Sequence, residues 1–211
     1  ALLGSTPAWA GKYASIVIDL DTHQVMHARD ADEERHPASL TKVMTLYMVF
    51  DALDAGKLKL SDKMPVSKAA SRAQPSKLGL KAGTTIKVED AIRALVTKSA
   101  NDVAIVIAEK LGNGSEAKFV TKMNAKAEEL GMTSTTLDGS PAHGATSTVR
   151  DLARWVRELL APGRLLDAST VATATTVQFG DLSGVLPGYG MQRPNPWGLG
   201  FEIRGQKAPH W

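Results

Sequence analysis

Ser39 and Lys42 lie three residues apart in the stretch 36–50, HPASLTKVMTLYMVF, in which Lys42 is the only charged side chain after Leu40. Apolar residues on nearly all faces predict a buried helix, and a buried lysine is costly unless it is paired or functional. Positions three apart share a helix face, so the amine can reach the hydroxyl. If burial and the positive helix N-terminus lower its pKa, the neutral amine can accept the serine proton. The pattern therefore predicts a serine–lysine nucleophile, with free N–H groups nearby to stabilise an oxyanion.

The same spacing also has a purely structural explanation. Ser39 can be a helix N-cap, and Lys42 can extend its amine to water along the helix surface. Ser115 and Lys118 have the same S-x-x-K spacing, but their polar surroundings predict the solvated start of a surface helix. At the level of spacing alone, both interpretations of Ser39 and Lys42 stay open.

A second group of polar residues, Ser99-Ala100-Asn101, lies where one predicted helix ends and the next begins. Such residues can be turn and cap residues, or they can present a hydroxyl and an amide to a bound peptide. The motif follows Ser39 by sixty residues within a helical region, which favours the second interpretation.

The remaining pattern predicts an α+β fold. Two strands are expected around a turn at 21–23, with 15–20 buried on both faces. Helices are expected from Ser39 and over 87–99, 101–112, 115–131 and 147–160, the last capped by Ser147 or Thr148. Strands are expected again at 169–179 and 197–205. This order predicts a helical lobe inserted into a sheet lobe.

Composition excludes several classes of protein. The chain has 211 residues, 43% hydrophobic and 22% charged, which is typical of globular domains. The net charge of +3 suits an acidic surface such as a cell wall, or an ordinary soluble surface. The absence of cysteine excludes disulfides and thiol chemistry, and scattered basic residues argue against nucleic-acid binding.

Trp155 and Trp197 are interpreted as core or interface residues. No metal-ligand spacing is found among His23, His27, His36, His143 and His210.

Three ordered segments, PASLTK, PSKLGL and VTKSAND, resemble the D-alanyl-D-alanine carboxypeptidases among the low-molecular-mass penicillin-binding proteins, which are relatives of the serine β-lactamases. The resemblance covers 13–160. It implies a β-lactamase/transpeptidase-like fold, with an antiparallel sheet lobe and an inserted helical lobe at about 60–165, in a single domain over 11–211.

The resemblance also implies a role for each site residue. Ser39 would be the acylated nucleophile, and its N–H would form half of the oxyanion hole. Lys42 would be the general base. Ser99 would relay a proton to the leaving amine, and Asn101 would bind the substrate backbone. The reaction would remove the terminal D-Ala of the peptidoglycan stem peptide outside the cytoplasm, without metal or organic cofactor. Penicillins would acylate Ser39 as covalent inhibitors.

The ends of the chain depart from the family pattern. No K-T-G or H-T-G motif follows residue 160, and the nearest candidates are Lys207 and His210. We expect a truncated C-terminus, and a signal-peptide remnant over 1–10 that ends in Ala-Trp-Ala. Membrane association through a further C-terminal segment fits the same expectation. Without one oxyanion donor, activity of this chain would fall on the order of 10²–10³-fold.

Two alternatives remain at this stage. Related β-lactamases carry a glutamate on a loop after the S-x-N motif, but Glu128 and Glu129 fall within a helical pattern, which favours the carboxypeptidase. The other alternative is a non-catalytic wall-binding or penicillin-sensing module, which the missing third motif would explain.

Overall fold

A computed structural model describes residues 13–160, 168–169, 172, 176, 184–186 and 190–192. The helices are α1 Thr41–Asp54, α2 Lys68–Ser71, α3 Val88–Lys98, α4 Asn101–Leu111, α5 Glu116–Glu129 and α6 Val149–Leu160, with a 3₁₀ turn at Ala38–Leu40. The strands are β1 Ser15–Ile18, β2 Val25–Arg29, β3 Lys63–Pro65, β4 Thr85–Lys87, β5 Thr136–Leu137, β6 Ala145–Thr146, β7 Gly184–Leu186 and β8 Gly190–Gln192. The predicted α+β class is confirmed.

The first two strands form the predicted antiparallel hairpin, with Ser15 opposite Arg29. The carboxylate of Asp19 accepts hydrogen bonds from the turn that joins them. The prediction that 15–20 is buried on both faces is wrong, because Val17 is 50% and Leu20 55% exposed. Within the described residues β1 pairs only with β2 and packs against α6, so one face of the hairpin stays uncovered.

The core is built around α4, which packs against α1, α2, α3 and α5. Ala100, Ala104 and Ala108 recur every four residues and are fully buried, so neighbouring helices can approach closely along that side. Ile92 and Leu95 of α3 are buried in the same cluster. Every helix that flanks the candidate motifs is therefore fixed by one shared core.

Capping serine and threonine side chains set two of the helix starts. The Ser115 hydroxyl accepts a hydrogen bond from Lys118 N at the start of α5, so this second S-x-x-K marks a helix start, as predicted. The Thr148 hydroxyl accepts from Asp151 N at the start of α6, so Thr148 rather than Ser147 is the cap there.

Two contacts join the segment after β2 to α6 and its start, and α6 in turn packs against the core. Arg35 and Ser147 exchange backbone hydrogen bonds of 2.7 and 2.8 Å. Arg150 pairs with Asp32 on the segment after β2. Trp155 of α6 packs against the core, with its ring 6.4 Å from that of Tyr47 and at 71° to it, as expected for a core residue.

The strand predicted over 169–179 is wrong for its described residues, since Ser169 and Ala172 are helical and Thr176 N donates to Ala172 O. Local β-propensity was the only basis for that strand, and such propensity is easily overridden. The strand predicted at 197–205, together with Trp197, Lys207 and His210, lies outside the described residues.

In the described part of the chain, no helix is both long and apolar enough to cross a bilayer. The same residues hold no group of three histidine or acidic side chains placed to bind a metal ion.

Candidate active site

Ser39 lies in the 3₁₀ turn that runs directly into α1, so the α-helix itself begins two residues later than expected. The hydroxyl is at the surface, and the preceding residue, Ala38, has a positive φ of 48°. Such a conformation is strained for a residue with a side chain and is retained where the surrounding structure imposes it. Ser39 makes no capping hydrogen bond for α1, whose N-cap position is Leu40. The N-cap explanation of Ser39 is therefore wrong.

Lys42 is only 3% exposed and does not extend to water. Its Nζ lies 3.3 Å from Ser39 Oγ and donates to the carbonyl of Ala142 at 3.0 Å. Both partners are neutral, so nothing compensates the cost of burying a charge, and burial lowers the pKa of Lys42 to about 8. At pH 7 roughly one in ten of these amines is then neutral, far more than for an ordinary lysine. The structure brings together the two residues that spacing predicted.

The loop 138–145 forms the wall on the other side of the Lys42 amine. Ala145 N donates to the hydroxyl of Thr41, and the hydroxyl of Thr45 donates to Pro141 O at 2.7 Å. The loop is tightly folded, because a Cβ on Gly144 would lie 2.0 Å from the carbonyl oxygen of Asp138. Sequence reasoning assigned this loop no role.

Ser99 ends α3 in the left-handed conformation, with φ 53° and ψ 43°, and is half-buried. Among the described residues its hydroxyl makes no hydrogen bond with Ser39 or Lys42. The structure therefore links Ser39 to Lys42 directly, but it does not link Ser99 to either of them. Both motifs nevertheless belong to one packed unit, because α1 contacts α3 and α4.

Asn101 begins α4 and is largely buried. Its side-chain nitrogen donates to the carbonyls of Gln74 and Pro75, at 2.9 and 3.2 Å. Its backbone N–H donates to Ser76 O. Since both amide hydrogens are used within the protein, the side-chain oxygen is the group that Asn101 can offer to a ligand.

Asp102 is fully buried, and sequence reasoning missed it. Its carboxylate accepts hydrogen bonds from the backbone N–H groups of Leu78, Gly79 and Leu80, at 2.8 to 3.0 Å. It thereby fixes the segment 74–80 against the Ser99–Asn101 turn. An acidic residue in the first turn of an otherwise apolar helix was the signal that could have identified it.

Glu128 and Glu129, considered for a β-lactamase, lie in α5 as their helical pattern predicted. Glu129 forms an ion pair of 2.7 Å with Lys126. Neither glutamate lies on a loop after the Ser99–Asn101 motif.

A profile of the D-alanyl-D-alanine carboxypeptidase family matches residues 5–181. The chain is 36% identical over 150 residues to the D-alanyl-D-alanine carboxypeptidase DacF of Bacillus subtilis, covering 70% of this chain and 38% of that protein. The structure is similar to the carboxypeptidase DacD of Francisella tularensis, with a TM-score of 0.63, 30% identity and coverage of 71% and 37%. It is also similar to a protein named as a β-lactamase from Mycobacterium bovis, with a TM-score of 0.66, 34% identity and coverage of 94% and 73%.

The matched region thus spans less than half of the curated Bacillus protein. It nevertheless contains the Ser39–Lys42 pair and the Ser99–Asn101 turn, which carried the resemblance in the sequence. With this profile match and these relatives, the chain belongs to the D-alanyl-D-alanine carboxypeptidase family of serine peptidases, within the penicillin-binding and β-lactamase-like superfamily.

Proposed function

We propose that this chain carries the catalytic serine of a D-Ala-D-Ala carboxypeptidase that acts on peptidoglycan stem peptides, with residues 11–211 contributing to one catalytic domain. The observation that carries the proposal is the buried amine of Lys42, 3.3 Å from Ser39 Oγ and without a carboxylate partner among the described residues. A lysine in this environment is a base near neutral pH, and an adjacent hydroxyl is the group that it can activate.

In the acylation step, neutral Lys42 accepts the hydroxyl proton as Ser39 Oγ attacks the carbonyl carbon between the two D-Ala residues. The carbonyl oxygen becomes an oxyanion, and the Ser39 N–H is one proposed donor to it. When the tetrahedral intermediate collapses, the C–N bond breaks. The leaving amine takes up a proton, and the shortened peptide remains bound as an ester of Ser39.

Ser99 and Asn101 complete the proposed site. Ser99 would pass the proton from the lysine ammonium to the leaving amine, for which its hydroxyl must approach Lys42 when substrate binds. Asn101 would accept a hydrogen bond from a substrate backbone N–H through its side-chain oxygen. The hydrogen bonds that Asn101 donates and Asp102 accepts hold this turn in place before substrate arrives.

Hydrolysis of the ester would return the serine. A water molecule gives a proton to the base and attacks the acyl carbon, and Ser39 Oγ leaves with a proton. A β-lactam would form the same ester by opening its ring, so that its amine stays tethered and deacylation slows. The family acts outside the bacterial cytoplasm, which we propose for this chain as well.

The test is intact mass after incubation with benzylpenicillin, followed by peptide mapping of the adduct. We expect one adduct, located on Ser39, that is absent from Ser39→Ala. The matched control is Ser115→Ala, since Ser115 has the same S-x-x-K spacing but caps a surface helix. The control should retain the adduct. A folded chain that forms no adduct would contradict the acyl-enzyme proposal.

A β-lactamase is the second candidate, because the Mycobacterium bovis protein of that name covers nearly all of this chain. The two activities differ in the fate of the acyl-enzyme. A carboxypeptidase should hold the penicilloyl ester for minutes or longer and release D-Ala from a stem pentapeptide. Rapid, repeated hydrolysis of a chromogenic cephalosporin, without release of D-Ala, would favour the β-lactamase.

A further inference from the structure

The hydroxyl of Thr45 in α1 has a different kind of hydrogen-bond acceptor from the hydroxyls of Thr97 and Thr121 in other helices. Thr97 and Thr121 are exposed, and each donates its hydroxyl to the carbonyl four residues earlier in its own helix. That is the usual way for a helical threonine to satisfy its hydroxyl. Thr45 is completely buried, and its hydroxyl donates instead across the protein to Pro141 O, at 2.7 Å.

We propose that Thr45 is a positioning residue for the general base: by holding the Pro141 carbonyl, it fixes the neighbouring Ala142 carbonyl against the Lys42 amine. The proposal rests on the proposed function, in which Lys42 accepts the proton of Ser39. Thr45 lies three residues after Lys42, so both side chains leave the same face of α1 and meet the same loop. The two hydrogen bonds end on consecutive carbonyl groups of that loop.

The backbone of the loop explains how one hydrogen bond can direct the next. The Pro141 carbonyl belongs to the planar peptide that precedes Ala142, so holding it leaves only φ and ψ of Ala142 to orient the following carbonyl. The far side of the loop is fixed as well, because Ala145 N donates to Thr41 and Gly144 has no space for a side chain. The loop therefore has little freedom to restore the Ala142 contact by shifting.

A fixed Ala142 carbonyl would orient the reactive lone pair of the Lys42 amine. A neutral lysine amine has two N–H groups and one lone pair. When one N–H is held by Ala142 O at 3.0 Å, rotation about the terminal C–N bond is restricted, and the lone pair can face Ser39 Oγ. Without that carbonyl, the amine would have to adopt the reactive orientation at each encounter.

Packing alone does not account for the hydroxyl. Valine has nearly the same shape as threonine and carries no polar group that must be satisfied, so it suits a buried position of an apolar helix. The variant Thr45→Val therefore removes the hydrogen bond and little else. Thr45→Ser keeps the hydroxyl and removes a methyl group. These two variants separate positioning from packing.

The experiment measures the second-order rate of Ser39 acylation by benzylpenicillin from pH 6 to 10, for the whole chain. In Thr45→Val we expect the rate at the plateau to fall about tenfold, the equivalent of one hydrogen bond. We expect the midpoint of the pH profile to move to lower pH, because the ammonium form of Lys42 loses a fixed acceptor. Thr45→Ser should stay near the wild type in both respects.

Two controls isolate the effect. Thr121→Val removes an exposed helical hydroxyl and should change neither rate nor midpoint. Val49→Ala creates a cavity one turn further along α1, where Val49 is buried. It should lower the melting temperature without moving the midpoint of the pH profile.

The experiment distinguishes failure of the Thr45 proposal from failure of the proposed function. An unchanged or raised midpoint in Thr45→Val would overturn the proposal, as would equal losses in Thr45→Val and Thr45→Ser. Titration of the Lys42 side chain by NMR, with ¹³C at Cε, reads the same midpoint without any reaction. If the wild type is not acylated, the proposed function fails, and the NMR titration of Thr45→Val against wild type still decides whether Thr45 positions the amine.

Discussion

Lys42 is buried and Lys126 is half-buried, and the two lysines differ in what they contact. Lys126 is 15% exposed and pairs with Asp51 and Glu129, at 2.9 and 2.7 Å. Burial by itself lowers its pKa, but the hydrogen bonds that it donates to both carboxylates raise the pKa above the ordinary lysine value. Lys42 has a serine hydroxyl and a backbone carbonyl instead, and burial lowers its pKa to about 8. Whether a buried lysine is an ion-pair partner or a base thus depends on the charge of its neighbours.

Acylation of Ser39 should therefore depend on pH through Lys42. Since only the neutral amine accepts a proton, the rate should rise about tenfold per pH unit below pH 8 and level off above it. The measurement is the pH profile of benzylpenicillin acylation. Lys126→Gln serves as the control and should keep the same midpoint. A rate that does not change from pH 6 to 9 would contradict the role of Lys42 as base.

At the scale of an element, the turn between α3 and α4 is held by a partner that is distant in sequence. Asp102 accepts three hydrogen bonds from the segment 78–80, and the nitrogen of Asn101 donates to carbonyls at 74 and 75. Hydrogen bonds to a charged acceptor are stronger than those between neutral groups. The segment 74–80 and the Ser99–Asn101 turn therefore form one rigid unit.

Asp102→Asn should loosen this unit. An amide replaces one acceptor oxygen by an NH₂ group that faces N–H donors, so we expect the free energy of unfolding to fall by about 3 kcal/mol. Urea denaturation measures that loss, and hydrogen exchange should show faster exchange at Leu78, Gly79 and Leu80. Asp90→Asn, an exposed residue in the first turn of α3, is the matched control. Unchanged exchange in Asp102→Asn would show that the segment is held by other contacts.

The difference between local and distant contacts also explains what the sequence could predict. Ser39 and Lys42 were found because an i, i+3 pair meets on any helix. The contacts of Asp102 cross more than twenty residues, and that of Thr45 crosses ninety-six. No periodicity carries such information, so the contacts that the segment 78–80 and the loop 138–145 make with the site residues appeared only in the structure. The prediction that 15–20 is buried on both faces was wrong for the same reason, since burial depends on which other elements cover the hairpin.

At the scale of the whole molecule, Asp151 joins α6 to the residues just before β5. It is 1% exposed, pairs with Arg154, and accepts hydrogen bonds from Ser134 N and the Thr135 hydroxyl, at 2.8 and 3.0 Å. The same region of α6 contacts β1 and the core. Asp151 thus links α6 to the connection that follows α5, beside the loop that carries Ala142.

Asp151→Ala should destabilise the molecule as a whole. It removes the acceptor of the Ser134 N–H, one of the two partners of the Thr135 hydroxyl and the carboxylate that pairs with Arg154. We therefore expect the free energy of unfolding to fall by about 2 kcal/mol. Denaturation followed by Trp fluorescence measures the change. Glu89→Gln, which breaks a half-exposed ion pair with Arg93, should change stability by about 0.5 kcal/mol or less. Equal effects of the two substitutions would show that burial of Asp151 contributes little.

In the proposed site, the orientation of the Asn101 amide would also limit which molecules can bind. Because its nitrogen donates to two carbonyls of the protein, the side chain offers a ligand only the acceptor oxygen of the amide. A peptide with an N–H group at this point can donate to that oxygen. An analogue that has an ester oxygen or an N-methyl group in place of this N–H cannot. This mismatch would weaken binding of the analogue, however reactive its scissile bond is.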